Sequence, residues 1–146
     1  MISYAARQIF SELAQYIWCD AVDIVARVST RWGNELRCHE LARAAHAALW
    51  ALNRWRLDEV GATLSVVDGQ LWAIEHSWLV YQIPGRCSTT QYAKRFLLDV
   101  YCPGRLPQVQ LIDDHFSIMR GYEDSGKVRG DVDCSMVAKL TREMQT

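Results

Sequence analysis

Three side chains met in chain order, Cys38, His76 and Asp99, are of the types that together perform nucleophilic catalysis. A thiolate attacks a carbonyl carbon, an imidazole takes the thiol proton and later hands it to a leaving group, and a carboxylate behind the imidazole fixes its tautomer and steadies its charged form. Each of the three stands out from its local pattern. Cys38 falls in the first turns of an apolar-periodic run, where unpaired backbone N–H groups and the positive end of a helix dipole favour a thiolate. His76 shares a strand face with Trp72, Ile74, Trp78 and Val80, and Asp99 interrupts the apolar run Phe96-Leu97-Leu98-Asp99-Val100-Tyr101-Cys102. A carboxylate buried there without a partner would cost several kcal/mol, so a His76–Asp99 hydrogen bond would satisfy both groups. A free cysteine is most often a small buried hydrophobe. For Cys38 alone that reading leads, and only the register with His76 and Asp99 raises the catalytic one beside it.

The remaining candidates are weighed in the same way. Cys19, Cys87, Cys102 and Cys134 have no base at recognisable spacing and are expected to be structural. The five cysteines form no CxxC pair, which argues against a zinc knuckle or a thioredoxin-type motif. His39 projects about 100° round a helix from its neighbour Cys38, a poor direction for a base, and is expected at the surface or in a helix cap. His46 is expected to be satisfied on its helix. Asp113-Asp114-His115 lacks a second ligand cluster and reads as a solvated turn, with His115 as an alternative base; no metal and no cofactor are expected. For the oxyanion, the backbone N–H of Cys38 with Trp32 or Asn34 is the expected donor set, and Trp32, in the loop before the Cys38 helix, could line a cleft. Pro103-Gly104-Arg105-Leu106-Pro107 reads most simply as a turn; as a cleft rim it could present Arg105 to a substrate.

The elements that must position these groups follow from periodicity. Ile9, Leu13, Ile17, Ala21, Ile24 and Val28 recur at helical spacing, predicting a helix from Ser3 to about Val28 with a break near Trp18 to Asp20. Asn34 is the expected N-cap of a second helix carrying Leu36 to Leu52, which puts Cys38 four residues in. Thr63 to Val67 and Leu71 to Tyr81 read as two strands joined at Asp68-Gly69, the strongest short hairpin signal in the chain. Phe96 to Cys102 and Gln108 to Ile112 predict two more strands, and Pro84 to Arg95 a loop. Arg120 to Asp133 reads as a mobile surface loop before a closing helix from Asp133 to Met144, capped by its Asp. The tryptophans at 50, 55, 72 and 78 are expected in the core. Helices first and a small antiparallel sheet after them make an α+β fold with a C-terminal helix.

Within that frame, Arg37-Cys38-His39-Glu40-Leu41-Ala42 opening a helix, Glu75-His76-Ser77-Trp78-Leu79 in a strand and Leu97-Leu98-Asp99-Val100-Tyr101 in a later strand resemble the transglutaminase-like branch of the papain-like cysteine protease superfamily. The resemblance covers roughly positions 30 to 112. It implies a helix packed on an antiparallel sheet, Cys38 as nucleophile, His76 as base and acid, Asp99 as orienter, and acyl chemistry on amides: hydrolysis, deamidation or transfer to an amine.

Length and composition set the outer bounds. At 146 residues the chain fits one domain, divided here into an N-terminal helical segment (1–30), a catalytic-like core (31–112) and a loop with the closing helix (113–146). Half the residues are apolar and mean hydropathy is -0.10, which excludes a disordered tail or a membrane bundle. A net charge of -1 gives no field to gather nucleic acid or anionic lipid. No secretory signal or membrane span is read at the N-terminus, so reduced thiols in the cytoplasm are expected, and an effector delivered into a host cell would look the same. The leading expectation is a cysteine-dependent hydrolase or acyltransferase (a thiol protease, deamidase or transglutaminase) acting on a protein or peptide; the alternative is a non-catalytic binding or inhibitor module on the same scaffold.

Overall fold

The computed structural model describes residues 4–28, 32, 36–83, 94–101, 107–112 and 121–146. Helices α1 (Tyr4–Ala26) and α2 (Cys38–Val60) precede strands β1 (Thr63–Leu71), β2 (Ile74–Ile83), β3 (Lys94–Asp99), β4 (Gln108–Ile112) and β5 (Tyr122–Asp124), and helix α3 (Cys134–Met144) closes the chain. The strands form one antiparallel sheet in the order β4-β3-β2-β1-β5. The fold is therefore α+β, with helices before and after the sheet. Of the expected loop from Pro84 to Arg95, residues 84–93 lie outside the described residues, as do the expected turn at 103–106, Cys87 and Cys102, while Lys94 and Arg95 belong to strand β3.

Helix α1 runs unbroken through Trp18 to Asp20. Ile17, Ala21 and Ile24, spaced at helical intervals, are buried together with Leu41, Ala42, Ala44, Ala45, Ala48 and Leu49 of α2. So many alanines let α2 approach its neighbours closely while covering little of their surface. Gly61, at φ 68 in the left-handed region, ends α2, and the Ala62 N–H donates back to the Leu57 carbonyl at 2.8 Å. The start of α2 differs from expectation. Arg37 is the N-cap, extended and with no side-chain cap hydrogen bond, so Cys38 is the first helical residue; Asn34 lies outside the described residues.

The β1–β2 hairpin turns at Trp72-Ala73, whose φ values of 50° and 66° are those of a two-residue turn with both central residues left-handed. Asp68-Gly69, expected as that turn, lies within β1 opposite Ser77 and His76. The reason is tertiary. A Cβ at Gly69 would collide with the Glu123 carbonyl of β5, so glycine is required there for strand approach. Strand β5 falls in the segment expected as a loop. Strand β3 stops at Asp99, short of Cys102, because the Asp99 carboxylate accepts from the Tyr101 N–H at 3.2 Å and turns the chain.

Strand β2 is central and His76, Ser77, Trp78 and Leu79 are all buried, so both of its faces are covered there. Leu79, Tyr81 and Ile83 join the core with α2, Leu98, Val100 and the α3 residues Leu140 and Met144. His76 and Trp78 point to the other face, under Tyr122. The expected tryptophan core is corrected: only Trp78 of those four is buried, while Trp50, Trp55 and Trp72 are 44%, 63% and 63% exposed. Arginine rather than the interior meets two of them, with Arg54 over Trp50 and Arg56 between Trp55 and Tyr16. Asp133 caps α3 as expected, accepting from the Met136 N–H at 3.1 Å. No helix among the described residues is long and apolar enough to cross a membrane.

Candidate active site

The site is built where the first turn of α2 meets β2 and the end of β3. At Cys38 the backbone N–H groups of the first helical turn have no intrahelical acceptor, since the first such bond runs from Leu41 N to Arg37 O. Arg37 grips Glu40 with two hydrogen bonds, Nε to Oε1 at 2.6 Å and Nη2 to Oε2 at 2.7 Å, which ties down the residue before the thiol. Cys38 is buried, 7% exposed; its sulfur touches the ring of His39 and lies near enough to His76 to act on the charge of that ring.

The first imidazole is His76. Its Nε2 lies 2.7 Å from Asp99 Oδ2. Burial opposes its charge, but the hydrogen bond to Asp99, then that to Cys38, and the charges of both outweigh it, and its pKa is pushed up to about 9. Asp99 is almost wholly buried and is held by more than the histidine: the Tyr122 hydroxyl donates to the same Oδ2 at 2.7 Å and the Tyr101 N–H to Oδ1. The His76 ring stacks on Trp78, centroids 6.1 Å apart at 24°, with the rings of Tyr101 and Tyr122 also beside it. The three residues singled out by sequence, Cys38, His76 and Asp99, are thus brought together.

The second imidazole is His39, which is buried rather than on the surface. Its Nδ1 and Nε2 lie 3.5 and 3.9 Å from the Cys38 sulfur, and Nδ1 lies 2.7 Å from Ser77 Oγ. Ser77 gives its one proton to Asp68 Oδ1 at 2.5 Å, and Asp68 Oδ2 accepts from Arg43 Nη2 and from the Arg129 N–H. Burial would raise the Asp68 pKa, but the hydrogen bonds from Arg43, Ser77 and Arg129 prevail and lower it. Burial lowers the His39 pKa, and the charges of Arg129 and Arg37 lower it further. Sequence reasoning missed Ser77, Asp68 and Tyr122 as site residues. The one available signal was Asp68-Gly69, whose glycine belongs to strand packing and whose carboxylate belongs to this network.

Comparison of the chain with family models, with curated proteins and with solved structures finds no match. The functional reading therefore stands on the residues themselves.

Trp32, expected to line a cleft or donate to an oxyanion, is buried in the core and its indole N–H donates to Glu143 Oε2 of α3 at 2.9 Å. That leaves the first-turn N–H of Cys38 as the oxyanion donor of the expected set among the described residues; Asn34 and Arg105 lie outside them, as does Asp113-Asp114-His115. His46 donates to or accepts at no charged group here; its Nε2 lies 2.8 Å from the Leu64 carbonyl, the satisfied role expected. Among the described residues no three His, Cys, Asp or Glu side chains cluster as a metal site requires.

Proposed function

We propose that this chain is a cysteine-dependent amide hydrolase or acyltransferase, of the transglutaminase-like kind within the papain-like superfamily, acting on a protein or peptide through a thioester. The observation that carries it is a thiol on the first residue of α2, close enough to raise the pKa of an imidazole whose Nε2 is 2.7 Å from a buried carboxylate. In the proposed reaction the Cys38 thiolate attacks the amide carbon, and the oxyanion forms against unpaired N–H groups of the helix start. His76, charged at neutral pH, gives its proton to the leaving amine, while Asp99 keeps the ring oriented. The acyl group is then released to water, or to an amine in the transferase variant. A reducing, cytoplasmic setting suits the free thiols Cys19, Cys38 and Cys134.

Alkylation by iodoacetamide near neutral pH tests this. Cys19 and Cys134 are exposed and Cys38 is buried, so accessibility alone would label Cys38 after both of them. The expected result is that Cys38 reacts first and that His76→Ala removes its advantage. Uniform slow labelling would support the non-catalytic binding module instead.

A further inference from the structure

The sulfur of Cys38 has two imidazoles for neighbours, His76 and His39, and the proposed mechanism uses one. His39 is supported by its own buried chain of hydrogen bonds, Asp68–Ser77–His39, anchored by Arg43. The proton positions in that chain are fixed by chemistry. A carboxylate can only accept, so Ser77 donates to Asp68; having one proton, Ser77 must accept from His39, and His39 Nδ1 must carry a hydrogen. In the neutral ring the lone pair is then on Nε2, 3.9 Å from the sulfur. An atom at that distance borders the space through which a nucleophile approaches the carbon of an acyl group on that sulfur. Resting on the acyl-transfer reading, we propose that His39 is a second catalytic base, which deprotonates the acyl acceptor in the step that releases the thioester, while His76 serves the step that forms it.

The acceptor oxygen or nitrogen attacks the thioester carbon and its proton passes to His39 Nε2; the new C–O or C–N bond forms, the tetrahedral intermediate collapses, and the C–S bond breaks to expel the Cys38 sulfur. The proton on His39 crosses the sulfur to His76, restoring the starting charges. The environments divide the roles in the same sense. The groups facing His39 are Arg37, Glu40 and Arg129 with Asp131, besides Cys38 and Ser77, and burial with the two arginines keeps it neutral and able to accept. His76, facing Asp99, is the charged one and able to donate. Two titratable groups pushed apart around one reacting atom form an acid and base pair.

Burst kinetics with p-nitrophenyl acetate separate the two steps. Wild type is expected to release a burst of p-nitrophenolate as Cys38 is acetylated and then to turn over slowly. In His39→Gln, which can still donate to Ser77 but has no basic nitrogen, the burst is expected to persist while turnover falls about 100-fold or more. Acetyl-enzyme then accumulates by mass spectrometry, and hydroxylamine, a nucleophile needing little help from a base, restores release. Loss of burst and turnover in parallel, unchanged turnover, or no rescue by hydroxylamine overturns the proposal. Ser77→Ala, a smaller change that keeps the imidazole but frees its tautomer, is expected to slow turnover more than the burst, and equal effects on both overturn it as well. A wild-type chain with no burst, or a burst surviving Cys38→Ala, defeats the acyl-transfer reading itself and this inference with it.

Discussion

His76 binds its proton more tightly in the fold than in the unfolded chain, and this couples stability to pH. A folded-state value of about 9 against about 6.5 for a free imidazole means the contribution is fully present below about pH 6.5 and lost as pH rises through about 9. It amounts to at most about 3 kcal/mol by the separation of the two values. Urea unfolding of wild type and His76→Gln should therefore show a gap that is wide near pH 6 and shrinks by about pH 9.5; a gap independent of pH would refute the coupling. The catalytic-type residues were legible in the sequence because each breaks a plain pattern, Asp99 in an apolar run and His76 on an aromatic face. His39, Ser77 and Tyr122 were not. A serine beside a histidine is unremarkable until the helix brings a second imidazole to it, and Tyr122 reaches Asp99 only through a strand of three residues.

At the level of elements, the edge strand β5 holds the site closed from one side, since it carries Tyr122 to Asp99 and pairs with β1 at Gly69. Gly69→Ala sets a methyl group against the Glu123 carbonyl and the Trp78 ring. It should cost about 1–3 kcal/mol in urea unfolding and slow alkylation of Cys38, whereas Gly130→Ala, which meets no atom within 4 Å, should do neither. An unaffected strand register with full thiol reactivity in Gly69→Ala would contradict this role for β5. The misplaced hairpin has the same origin. Local turn preference favours Asp-Gly over Trp-Ala, but Asp68 receives bonds from α2, β2 and the segment after β5, and Gly69 admits β5. Tertiary partners outvoted local propensity, and no single segment of sequence displays them. The capped α3 and strand β4, whose signals are local, were legible to within a residue.

Across the whole molecule, α2 is the shared wall between α1, the sheet and α3, and one buried amide joins it to α1. Asn53 is fully buried and donates to Asp20 Oδ2 at 2.9 Å and to the Leu49 carbonyl, while its oxygen accepts from Arg56. Asn53→Ala should destabilise the fold by about 1–3 kcal/mol, because Arg56 and Asp20 lose a buried partner. Cys38 alkylation at low temperature should stay fast, since no described side chain of α1 bonds to a group of the site; a slow reaction in folded protein would show that α1 supports it.

The order of parts along the chain has a consequence for synthesis on the ribosome. Cys38 is translated well before Tyr122, whose hydroxyl donates to Asp99, and before Arg129, whose N–H donates to Asp68. A nascent chain stopped at residue 120 holds the thiol, both imidazoles and both carboxylates, with His76 and Tyr101 beside Asp99 and Arg43 and Ser77 beside Asp68, yet lacks the further donor to each, the Tyr122 hydroxyl and the Arg129 N–H. Under the proposed function, the growing polypeptide would carry its thiol in an incompletely braced setting until residues 122 to 129 have been made, which would delay acyl chemistry to that point.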